Sequence, residues 1–153
     1  MLQMPLFLRA LAAFLALPGI VAGLVPALIR HVESGRDQGY RAGWYLLTIG
    51  LLVLLACVRE FYTAGKGTLA PWRPPRHLVT SGLYRYSRNP MYLGVLLILS
   101  GWAIGAASMG LAAYAGALGL AFQLRILYYE EPVLQRLFGE AWLAYRQTTR
   151  RWL

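Results

Sequence analysis

Charge is absent between residues 10 and 29, a run of about the twenty residues a helix needs to cross a bilayer. Pro18 and Pro26 fall inside it and must kink the helix, so its neighbours have to satisfy the carbonyls that the prolines free. A cleaved signal sequence is the competing reading, with Arg9 as its basic end and Val21-Ala22-Gly23 as the small-residue site. The apolar run continues past that site, which favours a crossing. Residues 30–41 are polar and mixed in charge and form a short loop. A second apolar run, 42–58, is at the short end for a span and stops at Arg59-Glu60. Residues 91–129 are too long for one crossing, and Gly105-Ala106-Ala107-Ser108-Met109-Gly110 divides them into a helical hairpin with arms 91–105 and 110–129. Gly101 with Gly105, and Ala112 with Gly116, have the small-residue spacing that lets membrane helices approach closely. Beyond Pro132 the pattern changes: Leu134, Leu137, Phe138, Ala141, Trp142 and Tyr145 recur at the helical period, which predicts an amphipathic helix over 132–148 at the membrane surface.

Between the second and third apolar runs, residues 59–90 carry Arg59, Lys66, Arg73, Arg76, Arg85 and Arg88 among several Gly and Pro residues that forbid a long regular element. The same stretch holds Leu69, Trp72, Leu78, Val79, Leu83 and Tyr84, too many apolar groups for a solvated linker. It is therefore expected to be an ordered loop packed at the membrane surface. The pattern predicts one domain, an all-α membrane protein of about four transmembrane helices with this loop and a C-terminal amphipathic helix.

Composition agrees. Of 153 residues, 58% are hydrophobic and 14% charged, with a mean hydropathy of +0.49. Soluble domains carry roughly 25% charge, and surface facing hydrocarbon explains the shortfall. The net charge of +9 raises nucleic acid as a partner. The basic residues do not interleave with aromatics as strand-binding surfaces require, which argues against it. They are instead distributed by side. Arg9, the loop and the segment from Arg125 onward hold twelve, and the other side holds only Arg30, Arg36 and Arg41. That asymmetry places both ends and the 59–90 loop on the cytoplasmic side of an inner membrane. Cys57, the single cysteine, reads as a small buried hydrophobe.

Three features carry chemistry. In Arg88-Asn89-Pro90-Met91-Tyr92-Leu93-Gly94, Asn suits a helix N-cap and Pro the first helical position, so a membrane helix should begin here. Its free N–H groups and the neighbouring Arg85 and Arg88 would attract an anion, although a capped helix with basic flanks reads as well. The second is Glu130-Glu131, where a regular helix would turn Glu130 inward and demand a partner. The third is Arg125, one turn deeper, which either snorkels to the surface or binds an anion. Tyr84, Tyr86, Tyr92, Tyr128 and Tyr129 gather around these features as an interfacial belt from which one or two could stack on a ligand. His31 and His77 read as structural. No residue spacing suits a metal, and no glycine loop suits a phosphate.

From His77-Leu78-Val79-Thr80-Ser81-Gly82-Leu83-Tyr84 through Arg88-Asn89-Pro90-Met91-Tyr92-Leu93-Gly94 to Glu130-Glu131, Leu134, Phe138-Gly139 and Tyr145, the chain resembles one superfamily of membrane enzymes. It is that of the isoprenylcysteine carboxyl methyltransferases and phospholipid methyltransferases. The stretch Gly65-Lys66-Gly67-Thr68-Leu69-Ala70-Pro71-Trp72 also looks like its bacterial members. The resemblance implies S-adenosylmethionine as cofactor, with its adenosyl part held by His77, Leu78, Val79 and Tyr84. Asn89, Pro90, Met91 and Tyr92 would hold its methionine part, Glu130 would contact it from the fourth helix, and Arg125 would be a candidate for the acceptor. The acceptor would be a lipid-like or prenyl-like molecule entering from the bilayer. The chain departs from the pattern where Asn89 stands for a common histidine. It also departs where Ile126 stands for a substrate-binding arginine, with Arg125 about 100° around a regular helix from that place. Thr148-Thr149-Arg150-Arg151-Trp152-Leu153 lacks the family's usual prolines. The rivals are an NADPH-dependent reductase of the sterol-reductase type, whose carboxy-terminal hairpin is similar, and a non-catalytic scaffold with the same fold.

Overall fold

The computed structural model describes residues 15–33, 39–64 and 77–153, and these residues are all-helical. Within the 59–90 loop, the stretch from Gly65 to Arg76 lies outside the described residues. A wide π-helical segment, Leu15–Leu24, runs into helix α1, Val25–Val32. Helix α2 is Arg41–Thr63, α3 is Pro90–Gly105 and α4 is Met109–Arg125. A π turn, Ile126–Glu130, joins α4 to α5, Glu131–Phe138, and α6 is Glu140–Thr148.

The first helix meets the demand that Pro26 makes on its neighbours. Pro26 has no N–H to give to the carbonyl of Ala22, and the indole of Trp102 donates to that carbonyl instead at 3.0 Å. The hydroxyl of Tyr114 takes the neighbouring Val21 carbonyl at 3.1 Å. α3 and α4 form the expected hairpin, closed by Ala107 at φ +48° and capped where the Ser108 hydroxyl accepts from the Leu111 N–H. Ser108 in turn donates to Glu33, which ties this end of the hairpin to the end of α1.

α3 is the central helix, with α2 against one side and α4 against the other. Leu54, Val95, Ile98 and Leu99 make the core with Ala22. The glycines of α3 serve α2 rather than the hairpin. A Cβ on Gly101 would stand 2.6 Å from the Leu47 nitrogen, and one on Gly50 would stand 2.7 Å from the Ile98 nitrogen. Gly116 meets nothing within 4 Å. Without a hydrophobic force between helices in lipid, such backbone contact is a main source of their adhesion. Gly101→Ala is therefore expected to lower stability by about 1–3 kcal/mol, as overpacking does, and Gly116→Ala to leave it unchanged. Unfolding in detergent measures both, and equal effects would refute the assigned interface.

Among the described residues, two helices are long and apolar enough to cross a membrane: Arg41–Glu60, and the continuous helix Met109–Phe138. Only 22% and 11% of their apolar windows are buried inside the protein. Ile49, Leu52, Leu55, Leu120 and Leu124 are exposed, an apolar surface that suits lipid and not water. Pro18–Val32 and Pro90–Gly105 are shorter apolar helices.

Three elements differ from the sequence expectation. α2 runs past Val58 to Thr63, because Arg59 and Glu60 are good helix formers and continue the helix beyond the apolar run. Pro132 does not break the chain after α4. The π turn accommodates it, with the Glu131 N–H bonded to the Ile126 carbonyl five residues back. The amphipathic stretch 132–148 is two helices, α5 and α6, because Gly139 takes φ +50° and ψ −120°, a conformation that ends a helix and favours glycine.

Candidate functional site

α3 begins at Pro90, as its sequence requires, with Asn89 in the N-cap position. The Asn89 side chain does not cap the helix, however. Its amide donates to the Arg151 carbonyl at 3.0 Å, drawn there because the 149–153 segment lies alongside residues 87–89. Ahead of it, the tight turn Gly82–Arg85 packs the loop onto the end of α2. Ser81 donates to Glu60 at 2.7 Å, and Val79 and Tyr84 bury against Cys57, with Leu83 and Met91 beside them. Leu78 is half-buried and His77 exposed. Burial pushes the Tyr84 phenol well above its ordinary pKa, and the nearby Cys57, Tyr145, Glu130 and Tyr92 reinforce the shift. Tyr84 is thus a neutral group sealed in the loop's core, and it borders Tyr92 and Glu130.

One turn into α3, the Tyr92 hydroxyl donates to Oε1 of Glu130. The Arg125 guanidinium binds the same oxygen at 2.9 Å. Tyr92 stacks on Phe122 with centroids 4.4 Å apart, and Arg125 lies over the Tyr129 ring at 5.2 Å. The widened turn makes this cluster possible. With five residues to the hydrogen-bonded ring, residues five apart share a face, so Arg125 meets Glu130 directly. The regular-helix geometry that set Arg125 apart does not apply here, and Ile126 turns into the core at 1% exposure. The side chains of Arg125 and Glu130 remain 36% and 26% exposed.

Glu131 is the more buried of the two glutamates, at 8% exposure, and has different partners. Arg88 approaches it at 3.0 Å, and Arg151 binds it through two nitrogens at 2.8 and 3.1 Å. Arg88 also lies over the Trp142 ring at 5.5 Å, while its Nε and the Trp142 indole N–H are buried without a hydrogen bond. Burial lowers the pKa of Arg88, and Glu131 opposes that shift. From α6, the Tyr145 hydroxyl donates to the Tyr84 carbonyl at 2.6 Å, and burial pushes its pKa up to about 12. The loop, the start of α3 and α5–α6 are therefore one hydrogen-bonded assembly beside the Tyr92–Glu130–Arg125 cluster.

A family model described as phospholipid methyltransferase matches residues 40–141. The chain belongs to the phospholipid methyltransferase family. No curated protein and no solved structure shows a significant match to it. The matched region of this phospholipid methyltransferase family member contains α2, the described part of the loop, α3, α4 and α5. It thus covers every candidate residue from His77 to Glu131. Tyr92, Glu130 and Arg125 meet at one place, and Val79, Tyr84 and Met91 pack together next to it. Asn89 is engaged by the 149–153 segment, and His77 stands apart on the surface. The sequence reading did not single out Phe122, Trp142 or Arg151 as site residues. Trp142 shows in the sequence only as a member of the apolar helical period, and Arg151 only as part of the proline-free 148–153 end.

Proposed function

We propose that the protein is a four-span membrane methyltransferase that uses S-adenosylmethionine and acts on a lipid-like acceptor. The observation that carries the proposal is the partly exposed Glu130–Arg125 pair, bridged to α3 by Tyr92. The methionine part of the cofactor carries one ammonium and one carboxylate, and this pair offers one group of each opposite sign. The half-buried Leu83 and Met91 border it and offer apolar surface that suits an adenosyl group. The residues therefore fit the cofactor. Met91 and Tyr92 with Glu130 would hold its methionine part, and Leu78 and Val79 its adenosyl part.

When bound, the cofactor supplies a methyl group on a positively charged sulfur, open to in-line attack. The chain's own task is alignment and exclusion of water. Tyr92 and Arg125 hold Glu130 in one orientation, and the stacked Tyr92–Phe122 pair walls the site between α3 and α4. A carboxylate acceptor needs no base, whereas an amine must lose a proton before or during attack. The two shorter apolar helices complete four crossings in this reading. α3, at about 24 Å, is short for a span but is enclosed by its neighbours. Both ends and the loop would then face the cytoplasm, where a soluble cofactor is met.

Calorimetric titration of the detergent-purified protein with S-adenosylhomocysteine and, in parallel, NADPH tests the reading. Binding of S-adenosylhomocysteine alone is the expected result. Binding of NADPH alone would assign a reductase, and binding of neither to folded protein would leave a non-catalytic scaffold.

A further inference from the structure

The segment that follows α6 is pinned residue by residue to the start of α3. The Arg88 N–H donates to the Arg150 carbonyl at 2.9 Å, within a parallel bridge between Ser87 and Arg150. The Arg151 carbonyl accepts from the Ser87 hydroxyl at 3.3 Å and from the Asn89 amide at 3.0 Å. The Arg151 guanidinium is fixed on Glu131, and the Trp152 indole donates to Gln123 on α4 at 2.8 Å. Thr149 is buried. Residues 149–152 thus join α3, α4 and α5, and they do so at the residue immediately before Pro90.

We infer that Arg151 is a positioning residue for the cofactor site, acting through Asn89. An asparagine at an N-cap ordinarily turns its side chain onto the first-turn N–H groups of its own helix. Here the Arg151 carbonyl holds the Asn89 amide away from that position, so the side chain does not occupy the first turn of α3. The anchor is the double contact between the Arg151 guanidinium and Glu131, which fixes the adjoining carbonyl in space. With that anchor gone, Asn89 is released to cap α3 and cover the groups that would face the ligand. The inference rests on the methyltransferase reading, and it gives the 149–153 segment a part in ligand binding although it lies outside the matched family region.

The test is a double-mutant cycle in the full chain, read as S-adenosylhomocysteine affinity beside detergent unfolding temperature. Arg151→Ala is expected to weaken binding about tenfold, the effect of one charge-assisted anchor, with partial recovery in Arg151→Lys. Trp152→Phe loosens the same segment from a point remote from Glu131 and is expected to weaken binding in the same direction. Neither change should weaken binding further in an Asn89→Ala background, because that background has already lost the side chain through which both act. Parent-like affinity in Arg151→Ala, or a loss on Arg151→Ala that is as large in the Asn89→Ala background as in the parent, would overturn the inference. If the folded parent itself fails to bind S-adenosylhomocysteine, the methyltransferase reading falls first, an outcome distinct from a parent that binds and variants that do not differ from it.

Discussion

Glu131→Ala is expected to cost about 3–5 kcal/mol of stability, the range for removing one partner from a buried ion pair. Glu131 is the only carboxylate bonded to both Arg88 and Arg151 among the described residues, and its side chain and that of Arg88 are 10% and 8% exposed. Its loss leaves the Arg88 guanidinium in a poorly hydrated site with the Trp142 ring as its remaining neighbour of favourable charge distribution. Arg88 cannot escape by losing its proton at neutral pH, because arginine stays charged even when burial lowers its pKa. Replacing both charges, Arg88→Met with Glu131→Leu, is expected to recover much of the loss, since an apolar pair of similar volume carries no desolvation cost. Unfolding in detergent decides the matter. A loss below about 1 kcal/mol for Glu131→Ala would place the network among exposed ion pairs and contradict the burial on which the argument stands.

How legible this was depended on whether a signal was local. The four apolar runs, the hairpin turn and the start of α3 at Pro90 all follow from short-range pattern, and the structure has an element at each. The expectation that neighbours must serve the carbonyls freed in the first helix also rests on local chemistry, and Trp102 and Tyr114 fill those roles. The glycine spacing in α3 correctly signals a close helix contact, yet it carries no information on the partner, which is α2 and not α4. The π turn at Ile126–Glu130 is illegible for a different reason. One extra residue in a turn leaves composition and period almost unchanged, but it rotates everything after it. That rotation sets Glu130 beside Arg125 and Tyr92, and it leaves Glu131 buried on Arg88 and Arg151, a second partner set that helical phase alone does not give. The bond from Asn89 to Arg151 spans 62 residues, beyond the reach of any capping rule.

Glu130→Gln is expected to weaken S-adenosylhomocysteine binding about 30-fold, roughly 2 kcal/mol, as for truncating a charge in a partly desolvated pair. The change keeps the length of the side chain and an oxygen for Tyr92 and Arg125 to bond, so the cluster's shape is retained while its negative charge is lost. What disappears is the attraction for a ligand ammonium and the neutralisation of Arg125 in a site of reduced dielectric. Tyr92→Phe keeps the ring stacked on Phe122 and the charge on Glu130, and removes only one hydrogen bond that orients the carboxylate. Its expected effect is smaller, about fivefold, the scale of one neutral hydrogen bond. The order of the two variants carries the mechanism. A larger loss for Tyr92→Phe would mean that orientation outweighs charge, and parent-like affinity in folded Glu130→Gln would remove Glu130 from the cofactor site altogether. The predicted order follows from the π turn, because there a carboxylate reaches an arginine on α4 and a tyrosine on α3 through one oxygen.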